Sequence, residues 1–122
     1  MKPTTEKFEE ILRKASKVFN QVITKTKKEK KAIYKLNKLA ANLDILAQDF
    51  YKIEMPTYDN KLGREEMQLR EIINLSLMIF ELIKNNYDFS YIKKVLNYEK
   101  EKLDVFIDEL NMGIYDNDPH SA

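Results

Sequence analysis

Apolar residues recur every seven positions through the first fifty residues of this chain, and that row limits its fold more than any other feature. Phe8, Ala15, Val22, Leu36, Leu43 and Phe50 share one spacing in which only Glu29 is not apolar. Leu12, Phe19, Ile33, Ala40 and Ala47 supply the companion position four residues on, with Thr26 as its one polar member. A double row at this spacing is the mark of helix packed against helix. The start signal agrees. Pro3-Thr4-Thr5 offers hydroxyls to cap free amides, and Glu6, Glu9 and Glu10 complement the positive end of a helix that begins near Thr5.

The row turns polar at Lys25-Thr26-Lys27-Lys28-Glu29-Lys30-Lys31 without losing phase. A turn near Thr26 to Glu29 would give two helices of roughly 20 residues and an up-down-up-down four-helix bundle. A continuous helix from Thr5 to about Glu54 would instead give a rod of roughly 75 Å at 1.5 Å per residue. Seven nearly all-charged residues have little to bury, which favours the turn. The unbroken phase and the lack of Gly, Pro, Asn, Asp or Ser in the segment favour the rod. A rod would carry more apolar surface than the C-terminal half can cover, so another copy or a partner would have to seal it.

Met55-Pro56-Thr57-Tyr58-Asp59-Asn60-Lys61-Leu62-Gly63 is the one clear loop, since Pro56 disfavours helix before it and Asp59, Asn60 and Gly63 supply turn chemistry. Arg64 to Met67 open the next helix, and Lys84-Asn85-Asn86 closes it. Its run from Ile72 to Ile83 is interrupted only by Asn74, Ser76 and Glu81, so it is expected at the centre of the core, with neighbours on nearly every face. A membrane span would need about 20 apolar residues, and this run is much shorter. Asp88 suits the N-cap of a last helix, whose row of Phe89, Ile92, Leu96, Leu103, Phe106 and Leu110 ends at Gly113. The short Tyr87-Asp88 connection makes residues 64 to 111 an antiparallel hairpin.

The expected fold class is therefore all-α. A long N-terminal helix, broken or unbroken near residues 25–31, packs with a C-terminal antiparallel helical hairpin as a three- or four-helix bundle. Residues 1–113 are expected to form a single domain, the size that 122 residues allow, with 114–122 as a flexible tail. Two glycines and three prolines leave few places to turn, in keeping with long helices. A cytoplasmic location is expected, because no apolar leader follows Met1 and no cysteine is present. Heavy use of Lys, Asn, Ile and Tyr with three Arg suggests a low-GC genome.

Catalytic equipment is scarce in the sequence. His120, the only histidine, stands next to Pro119 in the expected tail, without oriented partners. No Glu-x-x-His pair exists for a di-iron bundle. Ser16, Ser76, Ser90 and Ser121 have no histidine to activate them, and two glycines fifty residues apart cannot build a phosphate loop. Glu81, in the most apolar stretch, is the acid to check, with a Lys from the first half as its expected partner. The sequence thus predicts no enzyme, with no catalytic, cofactor or metal site and no small-molecule substrate.

Charge and tyrosine point toward binding. The net charge of +1 hides a division: residues 1–54 hold thirteen Lys/Arg against seven Asp/Glu, and the rest hold eight against thirteen. Such a split can draw two surfaces together. Lys27, Lys30, Lys31, Lys35 and Lys38 form a basic ridge on a helix and could displace counterions from a phosphate backbone. Scarce Arg and the lack of a helix-turn-helix signature weigh against nucleic acid. The leading expectation is a non-catalytic helical interaction protein, of adaptor, inhibitor or immunity type. It would bind a protein partner or another copy of itself through Lys27, Lys28, Lys30, Lys31, Tyr34, Tyr51 and Tyr58. The alternative is a nucleic-acid-binding accessory protein that uses the Lys25–Lys38 ridge.

Overall fold

Repulsion between like charges bears on where the first helix stops. On a continuous helix, Lys27 would stack over Lys30 and Lys31, and Lys28 over Lys31, each pair within one turn and none offset by burial. The computed structural model describes the backbone of residues 3–53 and 63–114 and the side chains of residues 6–49 and 63–114. In it α1 (Pro3–Thr24) ends before the lysines and α2 (Glu29–Ile53) starts after Lys28. No glycine closes α1. The backbone N–H groups of Lys25 and Thr26 both donate to the Gln21 carbonyl at 2.9 Å, and the Thr26 hydroxyl adds a third bond at 3.1 Å. Thr26 is itself buried, so the polar member of the row plugs the end of the bundle.

The continuous rod is thereby overturned. Each of the two helices turns its own row inward, so the shared phase across the turn does not report a continuous helix. Phe8, Leu12, Ala15, Phe19 and Val22 of α1 and Leu36, Ala40, Leu43 and Ala47 of α2 are all buried within a single copy. Ile33 is half-buried and the side chain of Phe50 lies outside the described residues; the other apolar members of the row are sealed within one copy.

α3 (Arg64–Lys84) and α4 (Phe89–Asn111) complete the bundle. α2 pairs most extensively with α3 and α1 with α4, while α1 packs against all three of the others. That corrects the expected centre: α1, and not α3, has neighbours on most sides. Within the apolar run of α3, Leu77 remains 61 % exposed and Phe80 also faces solvent, because a four-helix arrangement leaves every helix an outer side.

α3 and α4 run on from one another but pack mainly against α2 and α1 rather than against each other, and their ends follow the sequence closely. Asn86 takes the left-handed conformation (φ 58°) just past α3, and its N–H reaches the Ile83 carbonyl at 3.3 Å. Asp88 stands at the N-cap of α4, although its side chain makes no capping bond. At the other end Gly113 (φ 76°) closes a Schellman turn, with its N–H on Leu110 and the N–H of Ile114 on Glu109. Among the described residues no strand occurs, and no helix is long and apolar enough to cross a membrane.

Candidate functional site

Beside its core row, α1 carries Ile11 and Val18 seven residues apart, and α2 carries Leu39 and Leu46 at the same interval. Seven residues return a helix to one face, so each pair lies along the flank where α1 and α2 meet. There they line the floor of a trough on the outside of the bundle. Three open depressions, of about 390, 270 and 400 Å³, follow one another along it. The first two share Lys14 and Asn42, and the second and third share Gln21 and Lys35, so they form one groove.

The rim is basic. Lys7 and Lys14 stand on the α1 side and Lys35 and Lys38 on the α2 side, with Glu10 and Asp49 as the acids, both at the far end. At the α1–α2 turn the groove opens into a cup lined by Lys25, Lys27, Lys28, Lys31 and Lys35 together with Gln21 and Thr26. The residues present offer an apolar bed flanked by ammonium groups. They hold no nucleophile beside a base.

Several expected contact residues come together here. Lys27, Lys28 and Lys31 line the cup, and Tyr34 stands exposed on the groove's middle section. Lys30 is exposed but does not line the groove. The side chain of Tyr51, and the whole of Tyr58, lie outside the described residues, as do His120 and the segment from 115 onward. Sequence reasoning missed Lys7, Lys14 and the apolar floor. The signal was present in the second pair of heptad intervals, Ile11 to Val18 and Leu39 to Leu46.

Other polar clusters tie helices together. The Ser16 hydroxyl donates to Asp104 Oδ1 at 2.5 Å, and Lys100 Nζ donates to Asp104 Oδ2 at 2.7 Å. Burial pushes the Asp104 carboxyl up, but the hydrogen bonds from Lys100 and Ser16 and the charge of Lys100 outweigh it and hold the group below its usual range. With its hydroxyl hydrogen-bonded to that carboxylate, Ser16 is a link between α1 and α4. Glu81 is exposed and accepts from Asn85 Nδ2 at 2.8 Å, so the expected buried pairing with a lysine of the first half does not form. The half-buried Glu71 is pushed up by burial and by Glu99 on α4, with Lys102 pulling the other way. One turn before it, Gln68 is fully buried and neither end of its amide has a partner. Among the described residues, no group of three or more His, Cys, Asp or Glu side chains is placed to hold a metal ion.

Comparison with protein-family models, with curated proteins and with solved structures finds no match for this chain.

Proposed function

We propose that this chain is a non-catalytic binding module that seats an acidic, amphipathic helix of a protein partner in the groove between α1 and α2. The observation that carries the reading is the pairing of an apolar floor with a lysine rim along one continuous trough. An amphipathic helix lays its apolar stripe into such a groove and keeps its charged flanks at the edges. From Lys7 to Lys25 the trough runs about 27 Å at 1.5 Å per residue, which suits a partner helix of about five turns. Acidic flanks on that helix would meet the lysines, which adds speed and selectivity of encounter more than raw affinity.

Nucleic acid fits the same surface less well. A phosphate backbone would use the lysine cup at the turn but leave Ile11, Val18 and Leu46 without apolar contact. Of the three arginines, Arg13 and Arg64 are engaged with Glu9, at 3.1 and 3.3 Å.

The test is a photo-reactive phenylalanine analogue placed at Tyr34, with the cross-linked segment identified by mass spectrometry from the cells that make the protein. An acidic amphipathic segment, lost when Lys14→Glu and Lys35→Glu are combined, supports the reading. Cross-linking to nucleic acid, to a basic segment, or to nothing beyond a control probe at Asn20 overturns it.

A further inference from the structure

On α4 the outward face carries a second seven-residue row, separate from the groove. Tyr91, Tyr98, Val105 and Met112 are 47, 61, 57 and 75 % exposed. Tyr87, from the preceding connection, extends the row by packing its ring 4.8 Å from that of Tyr91. Of the ten large hydrophobic side chains exposed among the described residues, six belong to α4 and its two ends, so this is where unburied apolar surface concentrates. Isolated exposed apolar residues need no explanation, but a row along one helix face does.

We infer that this face is a homodimer interface in which α4 packs antiparallel against α4 of a second copy, with Tyr98 on the two-fold axis. The occupant is argued from charge. In a two-fold antiparallel pair, each flank of the row meets the same flank of the other helix, running in reverse. With Tyr98 facing itself, Tyr91 of one copy meets Val105 of the other. On one flank Lys94 of each copy then meets Glu101 of the other, which gives two unlike pairs. On the opposite flank, Val95 of each copy lies beneath the stem of Lys102 from the other. Lys102 itself leans back to Glu99, at 3.9 Å, so its charge is partnered within its own chain. The Lys102 ammonium also lies 5.1 Å from the centroid of its own Tyr98 ring, so each copy brings that cation with its Glu99 partner toward the axis, and the charge complementarity of this register rests on the two Lys94–Glu101 pairs. Association through α4 leaves the α1/α2 groove of each copy open, and this inference stands whether or not the groove has the occupant proposed above.

A contact of four to five side chains per copy is small, so the dimer is expected at the weak end, with dissociation in the micromolar range. Sedimentation equilibrium on the full chain should show mass rising from 14.5 kDa toward twice that value with concentration. Lys94→Glu alone and Glu101→Lys alone should each weaken association about tenfold, and the double exchange should restore it. The chain has no cysteine, so introduced ones report the register directly. Tyr98→Cys should cross-link to itself on oxidation, whereas Tyr91→Cys should cross-link to Val105→Cys and not to itself. A strictly monomeric protein at all concentrations, a dimer unchanged by Tyr98→Glu, or Tyr91→Cys linking to itself would each overturn the inference. All these positions are exposed, and circular dichroism of each variant confirms that it remains folded.

Discussion

Arg64 Nη1 donates a 2.8 Å hydrogen bond to the main-chain oxygen of Leu110, which joins the first turn of α3 to the last turn of α4. The same guanidinium reaches Glu9 of α1 at 3.3 Å through Nη2, and Glu9 in turn accepts from Arg13, which also donates to Asn111 Oδ1 at 3.0 Å. Three helices thus converge at one end of the bundle on a single planar cation. A lysine cannot reproduce the two directions of that fork. Arg64→Lys is expected to cost about 1–2 kcal/mol in urea unfolding, the value of a partly buried, charge-assisted bond. An unchanged midpoint would show that the fork is not needed.

Gln68 presents the opposite situation, a buried amide with nothing to bond. An unsatisfied buried polar group costs about 1–3 kcal/mol, and an apolar side chain of similar shape removes that penalty. Gln68→Met is therefore expected to raise stability by about 1–2 kcal/mol, read as a higher melting temperature. A lower one would mean that the amide has a partner in solution.

Two acids give stability opposite dependences on pH. Asp104 titrates below its ordinary value of 3.8, so its contribution is complete above that value and is lost as pH falls through the lower, folded one. Glu71 titrates above its ordinary value of 4.5, so it carries no penalty below 4.5 and an increasing one as pH rises through its folded value. Asp104→Asn is expected to destabilise near neutral pH and to become neutral in strong acid. Glu71→Gln is expected to stabilise near neutral pH, with the gain gone below about 4.5. Urea midpoints measured across the acid range check both signs.

Gly113 and Asn86 hold the two left-handed positions of the described backbone. A side chain at such a position costs about 1–2 kcal/mol unless it is short and polar. Gly113→Ala is expected to lose about 1 kcal/mol, whereas Asn86→Gly should change stability by no more than about 0.5 kcal/mol. Thermal unfolding of the two variants separates them.

Asn86 and Gly113 also show what was readable beforehand. Both were visible as helix stops because backbone chemistry is local, and the rows of α1, α2 and α4 predicted most of the buried side chains for the same reason, with Ile33 and Phe89 only half-buried and the Phe50 side chain outside the described residues. The turn after Thr24 was harder to read. It uses no turn residue, and its closing bonds all fall on one carbonyl, that of Gln21, which no pattern marks. Exposure of Leu77 was misjudged because the number of neighbours around a helix depends on how the others are arranged. Lys27, Lys30, Lys31, Lys35 and Lys38 were expected to share one helix face, but Lys27 falls in the turn before α2 and Lys30 does not line the groove. The apolar companions at Ile11 and Val18 were not foreseen, since a groove between two flanks exists only once the helices are laid side by side.

α1 has its most extensive partner in α4, close to ninety residues further along, as the Ser16–Asp104 bond shows. During translation α1 emerges before α4 and therefore has to wait for its main partner before it can settle. The intervening pair, α2 with α3, can dock sooner but must leave one side of its apolar surface open in the meantime. Without α4, the side of α1 that carries Ser16 toward Asp104 would have nothing to pack against.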